Sequence, residues 1–244
     1  MSDRKPDLTR GRYHARFARD AAEIASAQAL RTLCFATREP DGDRFDARCD
    51  HLLVFDVSDG ALVCCCRLLQ LADGGDLAQS YAAQFYDLGR LNAYPGRIVE
   101  MGRFCIHPDW QDADILRLAW GALSGLVDGN GIDLLIGCTS FPGVDPGPYE
   151  NSFALLGARH GPPVQWTPRI KAPEVVRFTG RPVSGLAGAM RGIPPLLRSY
   201  LSMGGWVSDH AVIDRDLNTL HVFTGLEIKT IPEARKRLLR AVAG

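Results

Sequence analysis

The chain has 244 residues, with 28 Lys and Arg against 28 Asp and Glu, so its formal net charge is zero; 46% of its residues are hydrophobic. The balance excludes a general nucleic-acid binder, which needs excess Lys and Arg to neutralise phosphates. The length allows a core without disulfides or metal. No apolar run approaches the roughly 20 residues that span a bilayer. The start of the chain, MSDRKPDLTRGRYHARFARD, is too polar for a secretory signal. The expected location is cytoplasmic, at most with a membrane surface contact. Seven cysteines, three of them consecutive (Cys64, Cys65, Cys66), make a poor disulfide framework because successive strand residues face opposite ways. There is no CxxC pair and no zinc-type histidine spacing, so no metal is expected and the cysteines read as small buried hydrophobes.

In chain order, residues 1–12 read as disordered and residues 13–244 as a single domain. Residues 19–36 carry no Gly or Pro and read as a helix, with Ala27, Arg31 and Phe35 on one face. After a polar loop, HLLVFDV (51–57) and ALVCCCRLL (61–69) form a hairpin across Ser58-Asp59-Gly60. A short helix is expected over SYAAQFYDL. RIVEMGRFCIH (97–107) is a strand, PDWQDADILRLAWGALSGLVDGNG a buried helix, and IDLLIGCTS (132–140) an apolar strand. ENSFALLGARHG is a short helix. WVSDHAVID (206–214) and TLHVFTGLE (219–227) are late strands, and PEARKRLLRAVA (232–243) is a basic helix. The order predicts a mixed α/β sheet flanked by helices.

Charges stand where strands or their edges should be apolar: Arg67, Glu100, Arg103, and in the loop before the first hairpin strand Asp43 and Asp46. A buried charge is costly unless paired or used. The two readings are an internal salt-bridge network and a site; convergence of two arginines and three carboxylates from separate segments favours the site. Glu100 and Arg103 are three apart and face opposite sides of a regular strand, so a β-bulge near Met101-Gly102 is expected to bring them to one face.

The succession ALRTLCF, DRFDARCDHLLVFD, VCCCRLL, EMGRFCIHPDW and LLIGCTSFPG resembles the GNAT-fold N-acyltransferases related to acyl-homoserine-lactone synthases. CDHLLV, the FPG after the last apolar strand and GIPPLLRSYLSMGGWVSDHAVID are similar to bacterial L-ornithine N-alpha-acyltransferases. The resemblance covers roughly residues 10–227. It implies a GNAT-like, mostly antiparallel central sheet flanked by helices, with a bulged central strand. It also implies a 3-hydroxyacyl group delivered on acyl carrier protein to the α-amine of L-ornithine, giving lyso-ornithine lipid. No cofactor is then needed, since the phosphopantetheine arrives on the carrier protein. The lactone-synthase signature positions fall on Arg31, Phe35, Asp43, Asp46, Arg67, Glu100 and Arg103. The tryptophan expected after Phe35 is missing, with Asp41 and Gly42 near its place, which favours the lipid-making branch over lactone synthesis. The Gly-rich diphosphate cradle of the acetyltransferases is replaced by PDWQDADIL, which carries three aspartates and fits a carrier-protein donor better than coenzyme A.

The expected catalytic residues are Glu100, Arg103 and Arg67. Glu100 reads equally as the base that deprotonates the α-ammonium and as an ion-pair partner of Arg67 or Arg103. The expected substrate-binding residues are Arg31, Phe35, Asp43, Asp46, Phe104, Cys105, Cys138 and Ser140, with guanidinium groups gripping the α-carboxylate and Asp43 or Asp46 meeting the δ-ammonium. Cys105 and Cys138 suggest an acyl-cysteine route, but with no activating histidine at fixed spacing direct attack is favoured. His51 and His107 read as structural, with His107 a secondary candidate to assist proton removal. Residues 185–206 read as a helix on the sheet, or as a lid or membrane-touching surface that Pro194-Pro195 breaks. Arg235, Lys236, Arg237 and Arg240 read as a solvated face, with docking of an acidic carrier protein the lesser reading. The alternatives kept open are transfer to another amino acid such as glutamine, lactone synthesis, and a non-catalytic carrier-protein or lipid-binding module.

Overall fold

A computed structural model describes residues 6–37, 39–180 and 185–243. The chain falls into two compact units. One comprises residues 1–70, 101–133 and 232–244, the other residues 71–100 and 134–231.

The first unit begins with β1 (Asp7–Arg10), which pairs antiparallel with β2 (Tyr13–Phe17). Residues 7–10 were expected to be disordered; they form a strand because β2 offers an edge to pair with, a partner invisible in local composition. Helix α1 (Ala21–Phe35) follows. Its N-cap Asp20 accepts the Glu23 N–H at 2.9 Å, closing one orphan donor, and Glu23 reaches back to the Arg19 N–H at 2.8 Å and so ties down the segment entering the helix. Arg16 grips the same Glu23 through two 2.7 Å bonds, and its hydrogen bonds pull that carboxyl down to about 2. The predicted hairpin is β3 (Asp50–Asp56) and β4 (Leu62–Leu71), with Leu53 opposite Cys65 and His51 opposite Arg67.

After β5 (Tyr86–Asp87), which belongs to the second unit, β6 (Arg97–Ile106) enters the first unit at Met101 and lies beside β4. The unit is completed by α2 (Ala113–Asn130), whose Ile115, Leu118, Ala119, Ala122, Leu123 and Leu126 form the apolar stripe of a 3.6-residue period. Asp112 caps α2 by accepting the Asp114 N–H at 2.9 Å, and Gly131 ends it at φ 61°, which a residue without Cβ adopts at least cost.

The second unit contains β7 (Ile132–Pro142), α3 (Glu150–Arg159), β8 (Arg169–Ile170), β9 (Val175–Arg177), α4 (Leu186–Gly192), α5 (Pro195–Ser202), β10 (Trp206–Val207), β11 (His210–Asp214) and β12 (Thr219–Glu227). Its strand order is β7-β12-β11-β9, with β12 paired antiparallel to β7 from Thr219↔Pro142 to Glu227↔Leu134. α3 buries Phe153 between Phe141 and Phe178, with ring centroids 5.1 and 4.9 Å away. α4 is tied to α3 by Ser152 Oγ, which donates to the Ala189 carbonyl at 2.7 Å. Pro195 starts α5, where a proline's missing N–H costs nothing, so residues 185–206 are two short helices rather than one.

The expected helix over SYAAQFYDL is instead a 3-10 turn at Ala82–Gln84 and the strand β5, paired with β8. Tyr86 is drawn inward, its hydroxyl donating to the His221 carbonyl at 2.8 Å. Likewise 206–214 is two strands, interrupted where Ser208 Oγ turns to bond the His210 carbonyl. The basic C-terminal helix α6 (Glu233–Ala243) returns to the first unit and packs on α2, with Arg240 bonded to Asp128 at 2.9 and 3.2 Å.

Candidate active site

Three elements of the first unit each send one arginine to the same place: Arg31 from α1, Arg67 from β4 and Arg103 from β6. Three aspartates of the loop after α1 meet them. Arg31 donates to Asp46 Oδ1 at 2.8 Å, to Asp46 Oδ2 at 3.0 Å, and through Nε to Asp41 Oδ2 at 3.0 Å. A further short bond runs to the Asp41 carbonyl. Arg67 grips Asp43 in bidentate fashion at 2.6 and 2.8 Å and reaches Asp46 Oδ1 at 2.8 Å. Arg103 Nε lies 3.1 and 2.9 Å from the two Asp41 oxygens, and its Nη2 is 3.6 Å from Asp43 Oδ2. Three guanidinium groups thus face three carboxylates, the pairing that makes burial of charge tolerable.

The network has a closed end and an open one. Arg31 is 1% exposed. The Asp46 oxygens take donors from Arg31 and Arg67, from Gln28 Nε2 at 2.9 Å and from the Asp43 N–H at 3.2 Å, which fills a carboxylate's roughly four acceptor directions. Burial opposes the Asp46 charge, but the hydrogen bonds from Arg31, Gln28 and Arg67 outweigh it and hold its carboxyl well below the usual range. Asp43 shows the same balance, burial against the Arg67 bonds, with its pKa lowered; its side chain is 25% exposed, the most of the six. Arg103, at 10%, is the most exposed of the three arginines.

Arg31 and Asp46, expected to bind substrate, are interior members whose polar groups are taken up by each other and by their neighbours. Arg67 is equally buried, at 2%, and holds Asp43 in position. His51 is structural, its Nε2–H donating to the Asp46 carbonyl at 3.0 Å. Asp41, which stands near the place of the missing tryptophan, is buried and bridges Arg31 to Arg103. Nothing in spacing separates it from Asp43 and Asp46, because an irregular loop has no period. Gln28, three residues before Arg31 on α1, was missed for want of a charge.

The kink in β6 is present and lies one residue later than expected. Arg103, not Gly102, takes the left-handed conformation, at φ 54°. For a residue with a Cβ this costs about 1–2 kcal/mol. A Cβ on Gly102 would stand 3.4 Å from Arg67 Nε, so Gly102 and Arg103 both turn toward the network and the strand's alternation is broken there. Phe35 closes the arginine from the side, with Arg103 Cζ 6.0 Å from its ring centre, and Phe104 is half-buried.

Cys105 does not stand with the charged groups. Its Sγ is 3.5 Å from Cys65 Sγ in an apolar cluster with Ala27, Leu30 and Leu53. Although a Cys34 hydrogen bond favours its thiolate, the Cys65 contact and burial push the Cys105 thiol well above its usual value. Such a thiol is inert as a nucleophile.

In the second unit, Glu100 is 4% exposed, and its two oxygens accept the Tyr81 N–H at 2.7 Å and the Ala82 N–H at 2.8 Å. These fix the carboxylate's orientation. Cys138 and Ser140 are half-buried on β7, two residues apart and so on one face, opposite Phe223 and His221 of β12. His107 packs edge-on against Trp110 at 4.6 Å and accepts the Asp109 N–H.

Residues 28–121 match a family model described as an acetyltransferase (GNAT) domain. A protein of Rhizobium meliloti named L-ornithine N(alpha)-acyltransferase is 33% identical, the match covering 88% of this chain and 80% of that one. One of Rhodobacter capsulatus with the same name is 29% identical, covering 92% and 93%. One of Agrobacterium fabrum is 30% identical, covering 91% and 83%. Among solved structures, an N-acyl amino acid synthase from uncultured soil microbes superposes with TM-score 0.52 at 11% identity, covering 89% of this chain and 92% of that one. A CoA-dependent acyl-homoserine lactone synthase superposes with TM-score 0.50 at 12% identity, covering 92% and 83%. At such identities these two structures share the fold alone. With its mostly antiparallel sheet, its flanking helices and a match over most of its length to named relatives, the chain is an N-acyltransferase of GNAT fold and belongs to the family of the L-ornithine N(alpha)-acyltransferases.

Proposed function

We propose that the chain moves a 3-hydroxyacyl group from acyl carrier protein to the α-amine of L-ornithine, giving lyso-ornithine lipid. The observation that carries this reading is the match along about nine-tenths of the chain to relatives that all bear the ornithine acyltransferase name. The α-ammonium first loses a proton, and Glu100, held by two backbone N–H groups, is the assigned base. With that first proton released to solvent, the free amine attacks the thioester carbonyl and the C–N bond forms; the nitrogen's second proton then passes by way of Glu100 to the departing pantetheine thiolate as the C–S bond breaks. Arg103 receives the α-carboxylate and Asp43 the δ-ammonium, being the most exposed arginine and aspartate of the network; Phe35 and Phe104 are assigned to the acyl and pantetheine arm.

The carrier-protein donor is supported by the start of α2. Its first N–H groups are served by Asp112, and Asp114 adds a second negative charge, so a free diphosphate meets carboxylates there. Among the described residues no helix is long and apolar enough to cross a membrane. Contact with the inner-membrane surface is assigned to α4, where Leu186 is 48% exposed.

Purified protein incubated with a 3-hydroxyacyl carrier-protein thioester and a panel of amino acids, followed by mass spectrometry, tests the proposal. N-acyl-ornithine as the main product is expected. Acyl-glutamine, a lactone from an S-adenosylmethionine acceptor, or no product each contradicts it. Glu100→Gln should lower turnover by about 10²–10⁴-fold; an unimpaired variant removes the base assignment.

A further inference from the structure

We infer that Asp41 is a positioning residue for the acyl transfer. It holds Arg103 in the left-handed kink of β6 and aims it at the open end of the charge network, where the acceptor's carboxylate binds. The inference rests on the reading that Arg103 receives the amino acid.

Asp41 is anchored on every side before it touches Arg103. Its N–H donates to Thr32 Oγ1 at 2.9 Å, its carbonyl takes a bond from Arg31, and its Oδ2 takes Arg31 Nε at 3.0 Å. The carboxylate is therefore fixed to the last turns of α1. Arg103 comes to it through Nε, within 3.1 Å of both oxygens, while Nη2 points toward the more exposed Asp43, 3.6 Å away. A guanidinium held by its Nε edge has one orientation left in its plane, which is how a planar fork is pre-organised for a second carboxylate. The φ of 54° at Arg103 needs a compensating interaction, and the Asp41 contact supplies one at that residue. Asp41 is enclosed behind Arg31 and Arg103 and acts only through them.

The test uses Asp41→Asn, which keeps the shape and removes the charge, with Asp41→Glu as the conservative partner. Steady-state kinetics with the carrier-protein thioester and the best acceptor of the panel should show the acceptor KM rising about tenfold, the thioester KM unchanged, and partial recovery in Asp41→Glu. A purely structural role would lower the amount of active enzyme and leave both KM values alone; that outcome, or wild-type kinetics, overturns the inference. If Asp41→Asn does not fold, Asp41→Glu carries the same comparison, since a carboxylate displaced by one methylene should still raise the acceptor KM alone. If the wild-type protein acylates no amino acid, the functional reading fails separately. A crystal structure of Asp41→Asn then decides. Arg103 should leave the left-handed region or swing its guanidinium away, and an unmoved Arg103 refutes the positioning role.

Discussion

Two neighbouring regions of the first unit are built on the same three elements and could hardly differ more. α1 places Ala27 and Leu30 in one and Arg31 in the other; β4 places Cys65 beside Arg67; β6 places Cys105 beside Arg103. The apolar cluster is stabilised by removal of surface from water, a contribution that accumulates group by group and survives partial loss. The charged network is stabilised only by being complete, because each ion withdrawn from water depends on its partners. The first region is a place to pack, the second a place to hold charges in fixed directions.

The sharpest way to break the charged region is Arg31→Met, which fills similar volume but leaves Asp41 and Asp46 without their central partner. It should cost about 3–5 kcal/mol in denaturant unfolding, as removal of one member of a buried pair does. A loss below about 1 kcal/mol would mean that the network is solvated rather than interdependent. At the open end, Asp43→Asn should weaken the acceptor by about tenfold to a hundredfold in KM, the worth of a hydrogen bond to a charged group. Its effect on kcat should be smaller.

Acid and alkali separate the two regions. The carboxyls of Asp43 and Asp46 lie below their unfolded values, so their contribution is complete above the ordinary carboxylate range. It is lost as pH falls through their folded values, where the unfolded chain takes up more protons. In the apolar region, against the Cys34 hydrogen bond, the Cys65 contact and burial hold the Cys105 thiol above the usual 9.0, so it stays neutral in the fold; stability falls as pH rises past 9.0, where the unfolded chain ionises first. Melting temperature against pH should show both flanks, and Asp43→Asn should soften only the acid one. The smallest effect is expected for Cys105→Ala, about 1 kcal/mol for one buried heavy atom. Transfer activity should persist, whereas its loss would restore the acyl-cysteine route.

Much of the site was legible. Arg67, Arg103, Asp43 and Asp46 stood out because charges in or beside apolar segments must find partners, and they found each other; Arg31 entered only through the resemblance to the lactone-synthase signature. Their division of labour was not legible. Asp46 looks like Asp43 in the sequence, yet one is enclosed by five donors and the other reaches solvent. Glycine drew attention to position 102, but the left-handed residue is Arg103, held by a carboxylate 62 positions earlier.

The amino-acid order by itself determined the elements whose signals are local: the capped α1, the β3–β4 hairpin, β6, α2 and β7. Helical and strand periods are written in neighbouring residues, and caps lie within a turn of what they close. Tertiary structure alone decided that residues 7–10 become an edge strand, that SYAAQFYDL is no helix, and which aspartate serves which arginine. Those outcomes depend on partners tens of residues away along the chain, and the loop that brings Asp41, Asp43 and Asp46 together has no period from which their directions follow.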